Sequence, residues 1–106
     1  MPTAKLRHVV LFGFKTGADP TRIDELVARF GALKDKVPGI EAFEWGVNNS
    51  PEGKAQGHTH CFMLTFESEA ARDAYLPHPE HLAFVSFAGP LIEKSFVVDY
   101  WASEAA

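Results

Sequence analysis

Three observations predict an α+β domain with the element order β-α-β-β-α-β. Four segments carry strand-like apolar runs, two carry apolar residues at helical spacing, and Pro, Gly, Ser and Asn punctuate the joins. This order is the split βαβ, or ferredoxin-like, pattern: a four-stranded antiparallel sheet with helices on one face.

The first strand covers Leu6–Phe14, with His8, Val10, Phe12 and Phe14 on one face and Val9 and Leu11 on the other. Asp19 suits an N-cap, because its carboxylate can accept an orphan backbone N–H, and Pro20 suits the first helical position. Ile23, Leu26, Val27, Phe30 and Leu33 then recur at helical spacing until Pro38-Gly39 ends the helix. Ile40–Val47 and Thr59–Phe66 read as the second and third strands. Between them, Asn48–Gly57 (NNSPEGKAQG) has no large apolar residue and reads as a long connection. Ser68 caps a second helix, Glu69–Leu76, which Pro77 breaks. His78-Pro79 opens a short further helix, and Ser95–Trp101 (SFVVDYW) is the last strand. Ala102–Ala106 are small or acidic and are expected to fray.

The chain has 106 residues, 46% of them apolar and 23% charged, which fits one domain over residues 1–106 with a core at about 5–101. No apolar run approaches the ~20 residues of a membrane span, and Met1–Arg7 lacks the apolar stretch of a signal peptide. Cys61 is the single cysteine, so no internal disulfide can form and a cytoplasmic location is expected. Ten basic residues against fourteen acidic ones give a net charge of −4, the wrong sign for non-specific nucleic-acid binding. There is no phosphate loop, dinucleotide fingerprint or nucleophile elbow, and no cofactor is expected.

Helices can cover one sheet face only. If they cover His8, Val10, Phe12, Ile40, Ala42, His60, Phe62, Leu64, Phe96 and Val98, the other face shows Val9, Leu11, Phe43, Trp45, Cys61, Met63, Val97 and Trp101. A solvated antiparallel face should alternate to polar residues, and this one does not. Such a patch exceeds what a monomer tolerates. It predicts a homodimer in which two sheets pack face to face as a dimeric α+β barrel.

The chemistry-bearing residues are His8, His58, His60, His78 and His81, with Tyr75. The densest group is Tyr75-Leu-Pro-His78-Pro-Glu-His81. A neutral imidazole can take a proton near neutral pH, and a phenol can donate to an oxygen that gains charge. The second helix runs back along the third strand, so Tyr75, His60 and His81 are expected around one cavity between sheet and helices. Full pairing of the first and third strands sets His8 opposite about Thr65, too far from His60 for contact at ~3.4 Å per residue. Phe12, Phe14, Phe30, Phe62, Phe84 and Phe96 are placed to line or fill the cavity. Each polar residue also has a plainer reading: Tyr75 as core, His78 as a helix cap, His81 as packing. His58 and His60 share a face if both lie on the strand, but His78 and His81 are spaced i, i+3 rather than the i, i+4 of zinc helices, and no metal site is predicted. Cys61 falls on the dimer side and reads as structural.

The stretches R-H8-V-V-L-F, P38-G-I-E-A-F-E-W45-G, H58-T-H60, L-T-F66-E-S, Y75-L-P-H78-P-E-H81 and V98-D99-Y100 cover nearly the whole chain. Together they resemble the stress-responsive A/B barrel (Dabb) family of dimeric α+β-barrel proteins. The resemblance implies a ferredoxin-like homodimer and, for function, little more, because many members have no known activity. One plant member is a polyketide cyclase that closes a linear polyketide thioester by aldol condensation without a redox cofactor. Its catalytic tyrosine and histidine match Tyr75 and His81. The resemblance thus implies a lyase or cyclase reading in which His81 removes a proton α to a carbonyl and Tyr75 hydrogen-bonds the oxygen. His8, His60, His78, Phe12 and Phe62 are then the ligand-binding candidates, for a small apolar or carbonyl-containing ligand. A non-catalytic stress or assembly role is the remaining alternative.

Overall fold

Backbone pairing joins β1 (Leu6–Phe14), β2 (Ile40–Val47), β3 (His60–Phe66) and β4 (Ile92–Trp101) into one antiparallel sheet, ordered β2-β3-β1-β4. The helices are α1 (Pro20–Lys36), α2 (Glu69–Tyr75) and α3 (Pro79–Ala88), followed by a 3-10 turn at Gly89–Leu91. This computed structural model describes residues 4–103. The architecture is the expected ferredoxin-like one, with the second crossover divided between α2 and α3. The slab is only 16 Å deep in its shortest dimension, one sheet with a single helix layer. No helix among the described residues is long and apolar enough to cross a membrane.

The caps explain the helix starts. The Asp19 side chain accepts from Thr21 N, the Ser68 hydroxyl from Ala71 N, and the His78 ring from Glu80 N, while Pro20 and Pro79 open their helices. Gly39 turns the chain from α1 into β2 at φ 94°, and a Cβ there would stand 2.6 Å from the Ala71 Cβ of α2. Strand bounds move slightly: β3 begins at His60, not Thr59, and β4 begins at Ile92, not Ser95. Ala102 is tied down, donating to Lys5 O at 2.8 Å, whereas residues 104–106 of the expected frayed end lie outside the described residues.

Strand register corrects the face assignment. Directly opposed residues share a face, and Phe43 opposes Leu64 while Trp45 opposes Phe62. Phe43 and Trp45 therefore lie on the helix side, and Ala42, opposite Thr65, lies on the bare side. The cause is an irregularity between Ile40 and Ala42 that shifts the register and breaks simple alternation. On β4, Val97 opposes Val10, Asp99 opposes His8 and Trp101 opposes Leu6, so Val97 and Trp101 are on the helix side and Phe96 and Val98 on the bare side. The bare face still carries Val9, Leu11, Cys61, Met63, Phe96, Val98 and Tyr100. Phe96 is 56% exposed and Val98 and Tyr100 are each 45% exposed. The face is apolar as expected: Val9, Leu11, Cys61 and Met63 lie on it as predicted, while Phe96, Val98 and Tyr100 stand in place of Phe43, Trp45, Val97 and Trp101.

The core lies between sheet and helices. Leu6, Val10, Leu26, Phe30, Leu33, Phe62, Leu64, Phe66 and Tyr75 are all buried there.

Candidate functional site

Tyr75 ends α2 and is fully buried. Its ring centroid lies 4.2 Å from that of His81 and 5.9 Å from that of His8, with Phe66 at 5.1 Å. His81 is placed by the first turn of α3, whose start His78 caps by accepting from Glu80 N at 3.1 Å. His8 comes from β1. These three residues border a cavity of ≈ 380 Å³ whose other walls include Val10, Phe12, Phe30, Phe84, Ala88 and Val97.

His81 Nδ1 lies 2.9 Å from Leu76 O. A carbonyl can only accept, so Nδ1 donates and the lone pair sits on Nε2. Burial holds the His81 pKa below the ordinary histidine value; the Leu76 carbonyl opposes this, and His8 and His78 add to it. The ring is thus kept neutral and able to accept. Burial pushes the Tyr75 phenol well above its ordinary pKa, so it remains a protonated donor. Its hydroxyl is buried and has no hydrogen-bond partner among the described residues. His8 Nδ1 lies 2.7 Å from Asp99 Oδ1, and Arg72 donates to Asp99 Oδ2 at 2.9 Å. The cavity therefore offers the Tyr75 phenol, the His81 acceptor, the His8 ring and the Ser95 hydroxyl inside mostly apolar walls. That set can hold an oxygen atom and receive a proton from a group next to it.

The structure brings His8, Tyr75, His81 and Phe12 together and leaves His60 and Phe62 elsewhere. His60 stacks on Trp45, with centroids 5.9 Å apart and planes 4° apart, and meets Phe14 edge-on at 5.0 Å. The expectation that α2 returns to His60 fails on length. Seven helical residues advance about 10 Å, three strand residues at ~3.4 Å each, whereas His60 is six residues back from Phe66. His8 pairs with Leu64 rather than Thr65, and His60 with Phe12, so the two histidines stand about 14 Å apart along the sheet. Phe62 is packed between Phe12 at 5.4 Å and Phe30 at 4.8 Å and does not border the cavity. His78 serves the backbone of α3 and is not part of the lining.

The phenylalanines do not fill this space. Phe12, Phe30 and Phe84 form walls, while Phe96 is on the bare face. His58 lies in the turn before β3, bonded to Ala55 O at 2.9 Å and packed against Phe96, so it does not share a face with His60. No cluster of three or more His, Cys, Asp or Glu able to hold a metal ion occurs among the described residues. A second hollow of ≈ 240 Å³ lies under the Asn48–His58 loop. Asp99 and Arg72 were not among the expected site residues. The signal for Asp99 was available: it is the lone charge inside SFVVDYW.

The description "Stress responsive A/B Barrel Domain" (Dabb) belongs to the family model that matches residues 6–102. The stress-response A/B barrel domain-containing protein HS1 of Arabidopsis thaliana is 38% identical over 95 residues, which cover 90% of this chain and 87% of HS1. Olivetolic acid cyclase of Cannabis sativa is 26% identical over 95 residues, covering 90% of this chain and 94% of the cyclase. A hydroxynitrile lyase from Passiflora edulis has a similar structure, with a TM-score of 0.90 and 30% identity over 99% of each chain. A dimeric ferredoxin-like protein of unknown function from a Jannaschia species matches with a TM-score of 0.77 and 29% identity, over 91% of this chain and 97% of that one. With a family match over almost its full length and a fold shared with these proteins, the chain belongs to the stress-responsive A/B barrel (Dabb) domain family.

Proposed function

We propose that this protein is a homodimer that binds a small, mostly apolar ligand in the cavity at Tyr75, His8 and His81, with a carbonyl or similar oxygen set against the phenol. The observation that carries this reading is the buried Tyr75 hydroxyl, which has no hydrogen-bond partner among the described residues and belongs to a residue that borders the cavity. Leaving a buried hydroxyl unpaired costs about 1–3 kcal/mol, and a ligand oxygen relieves that cost. The dimer half of the proposal rests on the bare apolar face and on the dimeric description of the Jannaschia neighbour. The free Cys61 is consistent with a reducing compartment, and we place the protein in the cytoplasm.

A second reading adds chemistry to the same site. His81 Nε2 removes a proton next to the ligand carbonyl while Tyr75 donates to the oxygen that gains charge. The fixed Nδ1–H of His81 favours it, because it leaves a neutral acceptor at Nε2. The similarity to a cyclase and a lyase is compatible with it and does not raise it above the binding role.

The test is a thermal-shift screen of the purified dimer against β-keto acids, phenolic acids and acyl thioesters, run beside His81→Ala. A ligand at 100 times its Kd adds about 2.7 kcal/mol of stability. A shift that disappears in His81→Ala supports the site. No shift with any compound, or one unchanged in His81→Ala, counts against it. Turnover surviving in folded His81→Ala would remove His81 as the base.

A further inference from the structure

The polar groups behind the cavity form a chain that the proposed ligand chemistry does not use. Arg72 on α2 donates from its guanidinium to Asp99 Oδ2 at 2.9 Å, and Asp99 Oδ1 lies 2.7 Å from His8 Nδ1. Both ends are anchored. Arg72 stands three residues before Tyr75 on the same helix, and Asp99 stands directly across from His8 in the β1–β4 pairing. His8 is 5% exposed and borders the cavity. The side chains of Arg72 and Asp99 are about four-fifths buried behind it, at 20% and 21% exposure.

We infer that Arg72 and Asp99 are positioning residues that fix the tautomer of His8, so that His8 offers its Nε2 to a ligand as an acceptor. Guanidinium nitrogens can only donate, and both oxygens of an ionised carboxylate can only accept. Arg72 therefore occupies Oδ2, Oδ1 faces the ring, and the hydrogen of neutral His8 belongs on Nδ1. His81 reaches the same state by another route, through the Leu76 carbonyl. The cavity then has two acceptor imidazoles near Tyr75, with ring centroids 4.2 Å (His81) and 5.9 Å (His8) from its own. This deepens the reading of the cavity as a ligand site: the fitting ligand carries a hydroxyl, enol or acidic C–H beside its oxygen.

The same geometry gives a test that a merely structural clamp between α2 and β4 does not predict. In Asp99→Asn the shape is retained, but the terminal Arg72 nitrogen that pairs with Asp99 still requires an acceptor, since Asp73 takes only the Arg72 Nε–H. The carbonyl of the introduced amide must turn to Arg72, which leaves its NH₂ facing His8 Nδ1. Two donors cannot pair, so the His8 hydrogen moves to Nε2. Adding Arg72→Met releases the amide, which can turn its carbonyl to His8 and restore Nδ1–H.

The experiment is ¹⁵N NMR of the histidine rings, followed upward in pH until the His8 signals stop changing, with His8 assigned by its loss in His8→Gln. The expected result is Nδ1–H in the natural protein, Nε2–H in Asp99→Asn, and return to Nδ1–H in Arg72→Met/Asp99→Asn. An Nε2–H His8 in the natural protein, a ring that keeps hydrogen on both nitrogens throughout, or an unchanged tautomer in Asp99→Asn, overturns the inference. The first of these needs no variant, so a misfolded Asp99→Asn does not protect the idea. The spectra are taken without ligand. Failure to find any binder thus counts against the preceding proposal alone, and a wrong tautomer counts against this one alone.

Discussion

Over β2 and β3, the helix side of the sheet is filled by Phe30, Phe43 and Phe62, with the 47% exposed Trp45 stacked at its margin, and neighbouring ring centroids lie between 4.8 and 6.2 Å apart. Over β1 and β4, the corresponding walls include Ala88, Ser95 and Val97, and a cavity of ≈ 380 Å³ remains. Phe12 and Phe30 border both regions and act as the partition. The difference is one of side-chain volume on a shared backbone plan. Each region also holds a half-buried histidine whose pKa burial lowers, His60 in the filled half and His81 in the open one. A depressed histidine pKa therefore does not mark the site by itself. What separates His81 is the phenol beside it and the open space in front of it.

The largest effect that could break this comparison is in the packed half. Phe62→Ala should cost about 3–5 kcal/mol in urea unfolding, because a fully buried ring leaves a cavity among neighbours that cannot collapse. Val97→Ala, at a half-exposed wall of the open region, should change stability by no more than about 0.5 kcal/mol. Equal losses would mean that the two halves are packed alike. Next comes Ala88→Leu, which points extra volume into the cavity. It should abolish ligand-dependent thermal shifts while costing less than the roughly 1–3 kcal/mol of overpacking a filled core. A larger loss would show that the space is not open.

Tyr75→Phe is a smaller and two-sided test. Removing a buried hydroxyl that has no partner among the described residues should raise the stability of the unliganded protein by about 1 kcal/mol. The same change should weaken an oxygen-bearing ligand about tenfold, or ~1.4 kcal/mol. A loss of stability instead would mean that the hydroxyl is already satisfied.

The smallest expected effect is in pH. Burial lowers the pKa of His60, with Asp24 opposing, and burial likewise lowers that of His81, both from 6.5. The unfolded chain then takes up protons at a higher pH than the native one. The stability tied to these neutral rings is present in full above about 6.5 and declines as pH falls below it toward the folded-state values. His60→Gln and His81→Gln should each make the urea midpoint less sensitive to acidification than in the natural protein. An unchanged sensitivity in both would contradict the burial argument.

The fold was legible because its signals are local. Asp19-Pro20, Ser68 and His78-Pro79 mark helix starts, and Pro38-Gly39 marks a stop, each through a backbone group that the residue supplies or withholds. The Tyr75–His81 pairing was legible for the same reason, since only five residues, two of them prolines, separate Tyr75 at the end of α2 from His81 in the first turn of α3. Strand facing was less so. Alternation predicts parity only while the register is unbroken, and the irregularity after Ile40 put Phe43 and Trp45 on the other side. In SFVVDYW both faces are apolar, so parity rests on Asp99 alone, and its meaning depends on pairing with His8 across the sheet. His60 was misplaced because its position relative to Tyr75 depends on the length of α2, shorter than the distance it had to cover.

The central claim is that a small oxygen-bearing ligand enters the open half of the helix-covered face and not the filled half or the loop hollow. Methyl NMR during a titration of the protein with acetophenone, a small aryl ketone, tests it directly. The account predicts shifts at Val10, Val85, Ala88, Ile92 and Val97, which border the cavity, with Val27 in the packed half and Val47 and Ala55 at the loop hollow unmoved. Shifts centred on Val47 and Ala55, or none at any methyl up to the ligand's solubility limit, would contradict it.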